Sequence, residues 1–75
     1  MEDYKLVVGG LYEHYKGMQY RVHNIVRHSE TLEELVLYEA LYENKFGKMW
    51  VRPKKMFCES VEIEGVKIPR FRPIP

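Results

Sequence analysis

Residues 27–31 read RHSET and set an imidazole, a hydroxyl and a carboxylate side by side at His28, Ser29 and Glu30. These are the residue types of a hydrolytic relay, in which a histidine takes the serine proton and a carboxylate orients the ring. The relay needs base and nucleophile within about 2.6–3.2 Å through space. Neighbours on an extended chain point to opposite faces, so this run cannot form a relay by itself. No nucleophile elbow or glycine-rich oxyanion loop accompanies it. The expectation is a polar corner between two strands, with Ser29 or Thr31 accepting backbone N–H bonds and Glu30 pairing with a nearby arginine. A small hydrolase is the alternative from a different class. It requires two titratable groups in contact, such as His28 with Glu30 or Cys58 with a histidine.

Metal chemistry has less to work with. His14, His23, His28 and Cys58 contain no close ligand pair of the C-x₂-C or H-x₃-H kind, so neither a metal nor any other cofactor is expected. Cys58, following Phe57, reads as a small buried hydrophobe rather than a nucleophile.

Two basic-aromatic groupings suggest binding instead. Tyr12, His14, Lys16, Arg21, His23 and Arg27 fall together on what reads as the outward side of a hairpin. Arg52, Lys54, Lys55, Arg70 and Arg72 form a second basic set close in sequence to Trp50, Phe57 and Phe71. Cations contact phosphates, and aromatics stack on unpaired bases for about 1–3 kcal/mol each. Against nucleic acid stands the formal net charge of +1 over the whole chain, since binders of this kind are usually strongly basic. The charge is uneven. Residues 1–43 hold four Lys/Arg against eight Asp/Glu, whereas residues 44–75 hold eight against three.

The elements that must carry these residues are short. A chain of 75 residues makes one domain and buries only roughly 60% of the surface it exposes unfolded, so most large apolar residues must serve the core. A deep substrate cleft would compete for them. One cysteine excludes an intramolecular disulfide and favours a reducing, cytoplasmic setting. The acidic start MEDYKLVVGG resembles no signal peptide, and no run approaches the roughly 20 apolar residues of a membrane span.

Residues 1–10 read as a loosely held lead-in hinged at Gly9-Gly10, and residues 11–75 as the domain. Gly17-Met18 fits a two-residue turn that places Tyr15 opposite Tyr20 and His14 opposite Arg21. Leu11, Tyr15, Tyr20, Val22 and Val26 then face inward. In TLEELVLYEALY, Thr31 and Glu34 imitate a helix capping box, but no apolar stripe appears at helical spacing. As a strand, Val36, Tyr38, Ala40 and Tyr42 share one face and Leu35, Leu37 and Leu41 the other. ENKFGK turns the chain into MWVR, which Pro53 ends. KKMF makes one tight turn that drops Met56 and Phe57 into the core. Around Glu64-Gly65, Ile63 faces Val66, Glu62 faces Lys67 and Val61 faces Ile68. The closing PRFRPIP suits an edge strand or an extended tail. The sum is an all-β fold of five or six short strands with a single tight helical turn.

The ordered set GLYEHYKG, VRHSETLEELVLYEALY, MWVRPKKMF and PRF resembles the small bacterial domain-of-unknown-function family sixteen-fifty-three, from about Gly10 to Phe71. The resemblance implies an SH3-like β-barrel. It implies no activity and carries over no catalytic or ligand residues, and Cys58 belongs to none of its motifs. The combined reading is a small cytoplasmic binding or accessory module, without specifying a natural partner or an oligomeric state. A protein or peptide ranks first as partner, RNA or single-stranded DNA second, and a membrane is not expected. The candidate binding residues are Tyr12, His14, Arg21, Arg27, Trp50, Arg52, Lys54 and Arg70.

Overall fold

The computed structural model describes residues 6–75. Its elements are β1 (Leu11–His14), β2 (Gln19–Arg27), β3 (Glu34–Ala40), β4 (Met49–Pro53), α1 (Lys54–Phe57), β5 (Ser60–Ile63), β6 (Val66–Pro69) and β7 (Phe71–Ile74). Five strands form one antiparallel sheet in the order β4-β3-β2-β1-β7, and β5 pairs with β6 in a separate ribbon. The fold is all-β with one short helix, but the expected closed barrel does not form. Among the described residues, sheet pairing ends at β4 on one side and β7 on the other. The sheet nevertheless curls, because the Arg52 guanidinium in β4 lies 5.5 Å from the centre of the Phe71 ring in β7.

The β2–β3 corner contains RHSET. Strand, not helix, follows it, as the missing apolar stripe required. Val36, Tyr38 and Ala40 are buried on the inner face, while Leu35 and Leu37 are half-buried on the outer. Tyr42, expected to continue the inner face, lies beyond the end of β3 and is exposed.

The first hairpin departs from its expected register. Tyr12 pairs with Tyr20 and Leu11 with Arg21. The connection is longer than two residues: Gly17 N–H donates to the His14 carbonyl at 2.7 Å, and Gly17 sits at φ +103°. That is a type I turn followed by a residue in the left-handed region, a common three-residue hairpin loop. The pairing shifts by an odd number of residues, which turns β1 over relative to β2. Tyr12 and His14 therefore lie on the inner side, and Tyr15 is exposed at the turn. A second irregularity, a bulge between Val22 and Asn24, puts Ile25 rather than Val26 on the face shared with buried Val36.

The core sits on the inner face: Tyr12, Tyr20, Val22, Val36, Tyr38, Ala40, Phe57, Cys58 and Phe71. Phe57 and Phe71 stack in parallel, 4.0 Å between centroids. Tyr12 and Tyr38 meet Phe57 edge-on, and Tyr20 and Tyr38 meet Phe71 the same way. Pro53 links β4 to α1 because its fixed φ suits the last residue before a helix. The turn buries Phe57 and Cys58, not Met56, which stays exposed.

The last hairpin pairs as expected, with Ile63 opposite Val66, Glu62 opposite Lys67 and Val61 opposite Ile68. Its two loop residues both take positive φ, +50° at Glu64 and +81° at Gly65, the signature of a type I′ turn. An L-residue other than Asn, Asp or Gly pays about 1–2 kcal/mol there. Replacing Glu64 with Asn should therefore stabilise the domain by about 0.5–1 kcal/mol, read as a higher urea midpoint. An unchanged or lower midpoint would contradict the turn assignment.

Candidate functional site

RHSET is a corner. His28 Nδ1 accepts the backbone N–H groups of Glu30 at 3.1 Å and Thr31 at 3.4 Å. Thr31 Oγ1 accepts the Glu33 N–H, and the corner is closed by His28 N–H donating to the Glu33 carbonyl. Leu32 takes φ +65° within it. Arg27 donates to the Leu32 carbonyl and faces Glu34, not Glu30. The imidazole is engaged with backbone and not with Ser29. Among the described residues no group of three His, Cys, Asp or Glu side chains could hold a metal ion.

The eight candidate binding residues separate into several places. Tyr12 is in the core, and its hydroxyl accepts the Val7 N–H at 2.9 Å. It cannot offer a surface. Arg21 lies on the outer face of β2 and donates to the Gly9 carbonyl, whereas the bulge turns Arg27 to the side of Ile25 and Val36, opposite Glu34. Lys54 at the start of α1 shares Glu34 with Arg27. His14 and Arg52 meet the Phe71 ring on the inner side, Trp50 shares that face of β4, and Arg70 reaches Met56 and Glu59 beside α1.

Their positions follow from strand parity. Trp50 pairs with Tyr38 and Arg52 with Val36, so both β4 side chains share the inner face with those core residues. Arg52 Nε donates to the Tyr38 hydroxyl at 3.3 Å, and its guanidinium lies over the Phe71 ring. Such cation–π contacts contribute about 0.5–1 kcal/mol when exposed and more when desolvated. None of the ion pairs among the described residues includes Arg52. Trp50 is more than one-third exposed and donates its indole N–H to the Gly47 carbonyl. Arg70 donates to the Met56 carbonyl and faces Glu59 at 3.8 Å.

His14 meets Phe71 edge-on at 5.0 Å and lies against Tyr15 at 4.5 Å. Beside it is a shallow groove of about 400 Å³, lined by Glu13, His14, Tyr15, Gly17, Ile68, Pro69 and Arg72. An Arg72–Glu13 ion pair crosses its wall. Partial burial, then the fields of Arg52, Arg70 and Lys16, lower the His14 pKa below its ordinary 6.5. A tyrosine pair lies near the end of β3, with Tyr20 buried in the core and Tyr42 exposed. Tyr20 and Tyr42 share a hydroxyl–hydroxyl bond of 2.7 Å. Burial, with that bond, pushes the Tyr20 phenol far above its usual range. Nothing in the local pattern singled them out, because the bond joins residues 22 apart.

A family profile described as "Protein of unknown function (DUF1653)" matches residues 10–73. The chain belongs to this family. The crystal structure of a DUF1653 protein from Bordetella bronchiseptica is similar to it, with 32% sequence identity and a TM-score of 0.84 over 91% of this chain and 87% of that one. No curated protein matches the chain. The DUF1653 assignment thus agrees with the ordered motifs and carries no activity with it.

The lowered His14 pKa has a measurable consequence. The fold favours the neutral ring, so just below pH 6.5 the folded chain binds fewer protons than the unfolded one. Stability therefore falls as pH drops from the unfolded value towards the lowered folded one. His14→Gln should flatten the urea midpoint between about pH 7 and pH 5 relative to the parent. An equally steep decline in the variant would remove His14 as its source.

Proposed function

We propose that the protein is a binding module that grips an acidic, extended protein segment at the Arg52–Phe71 site. The observation that carries this reading is Arg52 itself, a half-buried guanidinium over Phe71 that bonds a tyrosine hydroxyl and is paired with no carboxylate among the described residues. A cation held in place among aromatics is pre-organised for a partner's carboxylate, with which arginine makes strong bidentate bonds. Exposed Trp50 on the same face adds the large, rigid contact that protein-binding sites favour.

The nucleic-acid reading is weaker for a physical reason. Of the arginines and lysines expected to read phosphate, Arg21, Arg27, Lys54 and Arg70 already bond a carbonyl or a carboxylate. Arg21 also lies on the outer face while Arg27 and Lys54 flank Glu34 on the other, so a single backbone could not engage all four together. The SH3-like character belongs to this proposal too. It is supported by the curl that brings edge strands β4 and β7 together across Phe71, with a single helical turn after β4. The buried thiol of Cys58 and the relative from Bordetella bronchiseptica support a bacterial cytoplasmic setting.

The test is an amide-resolved NMR titration with two probes: a capped hexapeptide alternating valine and glutamate, and a mixed-sequence RNA hexanucleotide. The peptide should shift Trp50, Arg52 and Phe71. Arg52→Ala should weaken it at least tenfold, about 1.4 kcal/mol. RNA shifting the same amides while the peptide leaves them flat would overturn the proposal in favour of nucleic acid.

A further inference from the structure

The β4 edge carries an inference that rests on this reading and deepens it. Ala40 N–H donates to the Lys48 carbonyl at 2.8 Å, so Lys48, Trp50 and Arg52 direct their backbone groups towards β3. Bonded and non-bonded pairs alternate in an antiparallel ladder. The pairs Glu39–Met49 and Leu37–Val51 are then the non-bonded ones, and the N–H and C=O groups of Met49 and Val51 point away from the sheet. The neighbouring ladder agrees: Leu41 N–H donates to the Gln19 carbonyl, which turns the odd residues of β3 towards β2 and leaves the even ones for β4. No described residue bonds the free edge, and Met49 and Val51 are 51% and 53% exposed. The opposite edge is different. Tyr15 N–H donates to the Arg70 carbonyl, so the even residues of β7 face β1 and Pro73, which has no N–H, stands on the outer side.

We infer that the acidic segment binds as an added strand along β4, bonded to the Met49 and Val51 backbone. Strand addition is a recurrent mode of peptide recognition, with backbone bonds for affinity and alternate side chains for specificity. The two faces of β4 specify the alternation. Residues of the incoming strand on the inner side meet Lys48, Trp50 and Arg52, and acidic side chains suit them. Those on the outer side meet Met49 and Val51, which continue the half-buried surface of Leu37 and Leu35, and apolar side chains suit them.

Charge decides against a second copy of the chain as occupant. Residues 48–55, KMWVRPKK, hold four cations and no anion. Twofold antiparallel pairing about Val51 would set Lys48 against Lys54 of the other copy. An acidic strand meets the same edge with complementary charge.

The test separates this mode from binding itself. Val51→Pro removes the outward N–H, which the β3 ladder does not use, while keeping an apolar side chain on the outer face, and proline is accepted on an edge strand. The same valine–glutamate hexapeptide should bind the parent and protect the Met49 and Val51 amides from hydrogen exchange. Val51→Pro should keep the parent's circular dichroism and weaken the peptide at least tenfold. A peptide N-methylated on alternate amides supplies the same test on the unmodified protein, should the variant fail to fold. Equal binding by Val51→Pro, or by both methylation phases, would overturn strand addition while leaving the Arg52 site standing. No binding to the parent would overturn both. A concentration-dependent dimer that Val51→Pro dissolves would assign the edge to a second copy instead.

Discussion

The parallel stack of Phe57 on Phe71 is the contact on which the rest of the molecule depends. Phe57 comes from the single helical turn and Phe71 from the last strand, and both are fully buried. Tyr12, Tyr20 and Tyr38 approach the stack edge-on from β1, β2 and β3. Aromatic pairs contribute about 0.5–1.5 kcal/mol beyond their buried area. In a domain of this size, which has little core to spare, a five-ring cluster is a large share of the whole. It also holds the curl of the sheet, because it ties α1 and β7 to strands that they do not follow in the chain.

The same stack prepares the candidate site. One face of Phe71 is taken by Phe57, and Arg52 and His14 approach the ring from the remaining directions. A cation set over an aromatic ring and tied to a tyrosine hydroxyl has lost much of its freedom before any partner arrives. Pre-organisation of this kind lowers the cost of binding. The site is thus a by-product of how the core closes: the sheet curls far enough to bring β4 beside β7 and stops short of joining them.

Much of the secondary structure was legible. The alternation in β3, the helical turn at KKMF and the Glu64-Gly65 hairpin were readable because each is decided by neighbouring residues. The first hairpin was not. Gly17 can serve a two-residue or a three-residue loop, and the choice between them reverses the faces of β1. That one ambiguity placed Tyr12 and His14 outside when they are inside. The bulge between Val22 and Asn24 likewise reversed the faces of Ile25, Val26 and Arg27, since an extra residue leaves no mark in an alternating pattern.

The sequence by itself determined the strand-rich class, the family, the turn chemistry and the residue types available for binding. These follow from side-chain volume, backbone freedom and short-range pairing, which act over a few residues. Tertiary structure alone decided which of the candidate residues meet. It paired Arg27 and Lys54 with Glu34, buried Tyr12, and left Arg52 over Phe71 with no carboxylate partner among the described residues. The physical reason is that a charge's worth depends on what lies within a few ångströms of it, and those neighbours come from strands far apart in the chain.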